Sequence, residues 1–171
     1  MKILIITGIS YKKPNLSRLI SFLRKHFPAA KLILYKKFGG VNNPKRSTLL
    51  SYYLISYVAQ ADLIISYLNG PSPGRTLEQL YAFLFRIPII GFGRGRILSP
   101  FELVGIDKVS RSRKELLKEI RKKESTSAFT RILSYCERKL ILILLKIIFL
   151  TSIRRKFKNP NQFKTNEIKT Y

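Results

Sequence analysis

The residues best suited to chemistry in this sequence lie in one short stretch, Asn69-Gly-Pro-Ser-Pro-Gly-Arg-Thr-Leu-Glu78. An apolar run precedes it and a helical pattern follows, so the stretch connects a strand to a helix. Ser72, the backbone N–H groups around Gly74 and the positive end of that helix can all face an anion. Glu78 adds a carboxylate that could serve acid–base or covalent chemistry. The stretch therefore predicts an anion site beside a reactive carboxylate.

Each of these residues also has an ordinary structural interpretation. Glycine and asparagine are common in plain turns. We expect the helix to span Arg75 to Phe85, with Gly74 allowing a sharp entry, and an acid such as Glu78 in its first turn would compensate the helix dipole. Arg75 could hold a phosphate with two parallel hydrogen bonds, or it could simply be a solvated side chain. The residue types alone leave both interpretations open.

The elements around this stretch alternate between strands and helices. Ile-rich or Val-rich runs predict four strands and a short fifth, over Lys2–Thr7, Lys31–Tyr35, Asp62–Tyr67, Ile87–Phe92 and Asp107–Val109. Helical spacing of apolar residues predicts helices between them, one of them capped by Ser47. Such alternation is typical of right-handed βαβ units. We therefore expect residues 1–123 to form a doubly wound α/β domain with a Rossmann-like or flavodoxin-like parallel sheet of four to five strands.

Ligands of such sheets bind beyond the carboxyl ends of the strands. In this chain the loops at those ends are Gly8–Ser10, Phe38–Pro44, Asn69–Gly74 and Gly93–Ser99. Small residues in these loops would allow close backbone approach to a phosphate. The loop before Glu78 is thus one of four loops that we expect to form a ligand-binding site at the carboxyl edge of the sheet.

Several short motifs in this region resemble the nucleoside 2-deoxyribosyltransferase superfamily, and most closely its 2'-deoxynucleoside 5'-phosphate N-hydrolase branch. The resemblance covers roughly residues 2–120 and rests on Ala61-Asp62, Pro71-Ser-Pro-Gly74 and the spacing of Gly74 to Glu78. A later stretch, Gly95-Arg-Ile-Leu-Ser99, is also similar to the hydrolase pattern.

The resemblance implies a mechanism and a set of site residues. Glu78 would attack C1' of a deoxyribosyl group and form a covalent intermediate, which water or a second base would resolve. Gly8, Ile9 and Ser10 stand where the family has its first phosphate or sugar loop. The resemblance further implies that the substrate contacts also include Asn69, Gly70, Ser72, Gly74 and Ser99, with Ser99 supplied by a neighbouring subunit. The expected ligand is a nucleoside or nucleotide, and the expected assembly a homo-oligomer such as a dimer.

The sequence departs from the family pattern at two places. Family members carry a second carboxylate on the helix before the Ala-Asp strand, whereas Leu54 stands near that position and residues 47–60 contain no acid. Leu80 replaces a family glycine and could crowd the pocket. Either another group such as Tyr11, Tyr53 or Tyr57 protonates the leaving base, or the domain binds or senses a nucleotide without cleaving it.

The composition of the chain limits which ligands, cofactors and cellular locations we expect. The chain carries 33 Lys and Arg against 9 Asp and Glu, for a net charge of +24, which attracts polyanions, anionic lipids or phosphorylated ligands. With one cysteine and one histidine, it predicts neither a disulfide nor a metal site, and no cofactor is expected. We expect a cytoplasmic location, with association to a membrane as an open alternative.

The C-terminal part has a different composition. Residues 124–153 form an apolar segment with basic flanks, and residues 154–171 resemble a disordered basic tail. The apolar segment is shorter than a bilayer span and is interrupted by Lys146. It could pack on the domain or on a second copy, lie on a membrane surface, or form a short anchor. A contact of this basic segment with nucleic acid also remains open.

Overall fold

The structure, a computed structural model, describes residues 1–7, 13–34, 44–68, 72–93, 100–125 and 128–156 of the 171-residue chain. Within these ranges five strands form one parallel sheet in the order β2-β1-β3-β4-β5. The strands are β1 Lys2–Thr7, β2 Lys31–Leu34, β3 Leu63–Tyr67, β4 Ile89–Phe92 and β5 Lys108–Ser110. The predicted α/β fold is therefore confirmed, and the five strands agree with the sequence to within two residues at each end.

In the described part of the chain five α-helices cover the sheet, and each begins or ends close to the predicted position. They are α1 Lys13–His26, α2 Pro44–Gln60, α3 Pro73–Leu84, α4 Arg113–Glu124 and α5 Ala128–Lys156, and a short 3-10 helix spans Pro100–Leu103. The expectation that Ser47 caps α2 is wrong, because that helix already begins at Pro44. Proline is well suited to a first turn, where its missing N–H has no helical partner to lose.

Two cores form because the central strands are buried on both faces. On one face Ile3, Ile5 and Leu63 pack with residues of α1 and α4. On the other face Leu4, Ile6 and Ile64 pack with residues of α2 and α3, and α5 adds to this second core. Continuous apolar strands such as β1 are what a sheet covered on both faces requires. This arrangement places the ends of β1, β3, β4 and β5 at one carboxyl edge.

Asp62 lies at the opposite, amino edge of the sheet. Its Oδ2 accepts a hydrogen bond of 2.7 Å from the backbone N–H of Lys2, at the start of β1. The carboxylate therefore joins the entry points of two neighbouring strands. Asp62 therefore has a structural position, away from the carboxyl edge of the sheet.

Candidate active site

The site is organised by the beginning of α3, which directly follows the carboxyl end of β3. Ser72 has an extended backbone and caps the helix, since its Oγ accepts a hydrogen bond of 3.4 Å from the N–H of Arg75. Pro73 then occupies the first helical position, where its fixed φ favours the helix. The helix therefore starts two residues earlier than the predicted Arg75.

This earlier start changes the position of Glu78. The expectation that Glu78 lies in the first turn is wrong, because it is the sixth helical residue and the first turn of α3 contains no acid. At a rise of ~1.5 Å per residue, its Cα lies about 8 Å along the axis from the helix start. Compensation of the helix dipole falls off within the first turn, so it does not account for this carboxyl.

Gly74 is also placed differently from the expectation. Its φ is not positive, and a Cβ built on it would meet no atom within 4 Å. A sharp entry into the helix is therefore not the reason for a glycine here. What its missing side chain leaves is an open, exposed patch of backbone at the helix start, adjacent to the cap Ser72.

The carboxyl of Glu78 lies in an environment that disfavours its charge. Burial raises the pKa of Glu78 from 4.5 to about 8, and the nearby positive charge of Arg75 lowers it only in part. Its Oε2 is buried and accepts no hydrogen bond from any group that the structure describes. A buried carboxyl whose charged form gains no hydrogen bond at Oε2 keeps its proton to unusually high pH. Strongly shifted pKa values of this kind are enriched at functional sites.

Arg75 is part of the protein interior and not a solvated side chain. It is 1% exposed, and its Nη1 donates a hydrogen bond of 2.9 Å to the backbone carbonyl of Tyr67, the last residue of β3. The bond ties the first turn of α3 to the strand end. The guanidinium thereby becomes a fixed positive charge one helical turn before Glu78.

A second buried polar pair joins the same helix and strand, and the sequence reasoning missed it. Gln79 is fully buried, and its Nε2 donates a hydrogen bond of 2.6 Å to the Oγ of Ser66. Ser66 interrupts the apolar run of β3 with a small hydroxyl side chain. Because a buried hydroxyl needs a partner, this residue could have been used to predict a buried hydrogen bond at this position. Leu80 is 40% exposed and points away from this interior, so it does not crowd the helix–strand contact.

A cavity of about 590 Å³ opens at the same carboxyl edge, on the α1 and α4 side of the sheet. Its described lining includes the floor residues Tyr67 and Phe92 and three arginines, Arg18, Arg111 and Arg113. No carboxylate side chain is among the described residues of this lining. The cavity therefore carries positive charge, and it lies across β3 from the helix that bears Glu78.

Several predicted site residues cannot be placed. Gly8, Ile9, Ser10, Asn69, Gly70 and Ser99 lie outside the described residues, as does Tyr11. Tyr53 and Tyr57, which are candidates for protonating a leaving base, lie on α2 and are 56% and 39% exposed. Of the predicted site, the structure thus describes Ser72, Gly74, Arg75 and Glu78, which it brings together on the first two turns of α3.

In the parts of the chain that the structure covers, no helix combines the length and apolar character needed to cross a membrane.

Comparison with known proteins gives structural matches only. No protein-family model matches the chain, and no curated protein sequence matches it. A crystal structure of a conserved protein from Enterococcus faecalis is 18% identical with a TM-score of 0.56, and the match covers 72% of this chain and 98% of that one. The 2-deoxyribosyltransferase from Bacillus psychrosaccharolyticus is 14% identical with a TM-score of 0.51, over 76% of this chain and 95% of the enzyme.

A third solved structure, the CMP N-glycosidase from Clostridium botulinum, is 19% identical with a TM-score of 0.46, over 71% of this chain and 98% of its own. The matches with TM-scores above 0.5 cover almost the full length of the other proteins, so they concern whole domains. This chain therefore has the same α/β fold as that 2-deoxyribosyltransferase and the Enterococcus faecalis protein.

Proposed function

We propose that this protein cleaves or transfers the N-glycosidic bond of a 2'-deoxynucleoside or its 5'-monophosphate, with Glu78 as the nucleophile. The observation that carries the proposal is the carboxyl of Glu78. It lies on the helix that follows the carboxyl end of β3, and burial raises its pKa to about 8. The shared fold with a 2-deoxyribosyltransferase supports N-glycosidic chemistry in general.

In the proposed reaction the ionised carboxylate of Glu78 forms a bond to C1' as the bond from C1' to the base nitrogen breaks. The electron pair of that bond leaves with the base, which takes up one proton from a water molecule. Water, or the nitrogen of a second base, then attacks C1', gives up one proton to the solvent and releases Glu78 as a carboxylate. A weakly solvated carboxylate next to an oxocarbenium-like centre suits this chemistry, because positive charge at C1' develops in the transition state.

Arg75 is proposed to support Glu78 rather than to touch the substrate. Its buried guanidinium favours the ionised carboxylate, and the hydrogen bond to the carbonyl of Tyr67 holds it in place. Contacts to the sugar and phosphate are assigned to Ser72 and Gly74 at the open helix start. The substrate-binding role that the family resemblance implies is kept for the loop residues Gly8, Ile9, Ser10, Asn69, Gly70 and Ser99. The proposal also keeps the homo-oligomer, in which a neighbouring subunit would supply Ser99.

The arginine-lined cavity supports a phosphorylated substrate. Arg18, Arg111 and Arg113 bring three positive charges to the carboxyl edge, and the nearby carboxylate of Glu115, which accepts a hydrogen bond of 2.7 Å from the N–H of Arg111, offsets only part of this charge. Such a field raises the local concentration of anions and accelerates their association. We therefore expect 5'-monophosphates to be better substrates than the corresponding nucleosides, with the difference mainly in KM.

The test is to incubate the purified protein with a panel of 2'-deoxynucleosides and their 5'-monophosphates and to measure free base by chromatography. Base release should require Glu78 and should be lost in Glu78→Gln. Glu119→Gln is the matched control, since Glu119 is a helical glutamate on α4 and not at the start of α3. Base release that persists in Glu78→Gln would refute the assignment of the nucleophile.

A second candidate function is nucleotide binding without turnover. It is favoured by the sequence of α2, whose residues Pro44–Gln60 contain no carboxylate to protonate a leaving base. Loss of a general acid typically lowers the rate by about 10²- to 10⁴-fold. Nucleotides that raise the melting temperature of the wild-type protein without releasing base would identify a binding or sensing domain.

A further inference from the structure

Helix α5 carries two opposite apolar sides, and the domain covers one of them. Leu142 and Leu145 pack against the second core, and the buried Arg138 donates a hydrogen bond of 2.6 Å from Nη1 to the carbonyl of Ala61. Residues advance by about 100° each around a helix, so these three side chains share one side. They fix α5 along the domain next to α2.

The other side of α5 is a continuous apolar stripe that nothing in the described structure covers. Its side chains are 48–65% exposed, and they are Leu140, Ile143, Leu144, Ile147, Ile148 and Leu150. The spacing of these residues places them opposite Leu142 and Leu145 on the helix. A contiguous apolar surface of this kind marks an interaction site, because single exposed apolar residues are common but extended patches are not.

The charge of the segment around this stripe indicates which binding partner it favours. Besides the buried Arg138, residues 137–156 contain five basic residues and one acid, Glu137, and the whole chain has a net charge of +24. A second copy of α5 packed on this stripe would bring its own basic flanks against these, which disfavours this side of the helix as the contact between subunits. An anionic lipid surface offers the complementary charge, and each Lys or Arg near such a surface adds to the attraction.

We propose that the stripe on α5 binds an anionic lipid surface, with the helix lying in the plane of the interface. The side with Leu142 and Leu145 remains docked on the domain, so lipid can reach the helix only from the outer side. The stripe would enter the boundary between headgroups and acyl chains, while Lys139 and Lys146 would remain among the headgroups. The α/β domain would then be held at the membrane with α5 between it and the lipid.

The experiment uses the full-length protein in a flotation assay with phosphatidylcholine vesicles that contain or lack phosphatidylglycerol. We expect the wild type to float with the anionic vesicles and to remain largely free with the neutral ones. The double variant Ile143→Glu/Ile147→Glu should lower partitioning by about tenfold or more, because charged groups replace apolar ones at the depth of the interface. Leu77→Glu/Leu84→Glu on α3 is the matched control, since it changes the net charge by the same amount at leucines that are 56% and 60% exposed on another helix, and its partitioning should be unchanged.

Two results would overturn the proposal. One is equal flotation of the double variant and the wild type, which would mean that the net charge alone attracts the vesicles. The other is a wild type that sediments as a dimer without lipid, and a double variant that sediments as a monomer while its flotation is unchanged. That result would assign the stripe to a second copy of the chain. Circular dichroism and the melting temperature verify that each variant is folded.

Discussion

Arg75 stands one helical turn before Glu78 on α3, and its positive charge opposes the burial that raises the pKa of that carboxyl to about 8. The guanidinium is itself fixed by the hydrogen bond from its Nη1 to the carbonyl of Tyr67. The two residues therefore form a unit in which the strand end positions the cation and the cation favours the ionised carboxylate. The net effect leaves Glu78 mostly protonated at neutral pH in the free protein.

The first prediction concerns the pH dependence of activity. A nucleophilic Glu78 must be ionised, and with a pKa of about 8 its ionised fraction rises across the neutral range. We expect kcat/KM for base release to increase about tenfold per pH unit below that pKa and to level off above it, because this profile reports groups of the free enzyme. A profile that is flat or falling between pH 6 and about 8 would contradict an ionised Glu78 as the nucleophile.

The second prediction concerns stability. The pKa of Glu78 is raised on folding from 4.5 to about 8, so the native state keeps a proton that the unfolded chain releases. The stability that this proton confers is fully present below pH 4.5 and is lost as the pH rises to about 8. Glu78→Gln should therefore gain stability relative to the wild type over this range, on the order of a few kcal/mol at about 1.4 kcal/mol per pKa unit. Urea unfolding at several pH values measures the difference in unfolding free energy between Glu78→Gln and the wild type. A difference that does not change with pH would exclude the raised pKa of Glu78.

The third prediction tests Arg75 as a positioning residue. Arg75→Met removes the positive charge that lowers the pKa of Glu78, so the pH profile of base release should move to higher pH. Arg75→Lys keeps a charge and should move the profile less. Both variants lose packing around a residue that is 1% exposed, so their unfolding free energies must be measured in parallel. A purely structural role would lower stability and leave the profile in place.

The fourth prediction concerns Gly74. Because a Cβ would meet no atom within 4 Å, Gly74→Ala should be accepted by the free protein. Alanine should stabilise the helix by about 0.5–1 kcal/mol relative to glycine. If substrate approaches the open backbone at this position, the same variant should raise KM for a deoxynucleotide. An unchanged KM together with the gain in stability would remove Gly74 from the substrate contacts.

The fifth prediction concerns the pair of Ser66 and Gln79. Ser66→Ala leaves the fully buried amide of Gln79 without its hydroxyl partner, which should cost about 1–3 kcal/mol of stability. The double variant Ser66→Ala/Gln79→Leu removes both polar groups and should recover much of that loss. A double-mutant cycle in urea measures the coupling. Additive effects would mean that the 2.6 Å hydrogen bond contributes little.

The pattern of apolar residues was sufficient to predict the fold. Strands buried on both faces read as unbroken apolar runs, and helices read as apolar residues at intervals of three and four, so β1 and α1 could be located directly. Helix starts were harder to locate, because caps depend on local geometry. Helix α3 begins at Pro73 after the cap Ser72 and not at Arg75, and α2 begins at Pro44 ahead of Ser47.

The α/β class, the position of Glu78 after β3 and the resemblance to deoxyribosyltransferases could be predicted from the sequence, because they depend on order and spacing along the chain. The burial of Arg75, the hydrogen bond between Gln79 and Ser66 and the open side of α5 are known only from the packing of the folded chain. Tertiary contacts involve residues that are far apart in sequence, such as Arg138 and Ala61. They therefore cannot be predicted from the spacing of residues within one element. The raised pKa of Glu78 has the same origin, since desolvation is a property of the packed structure.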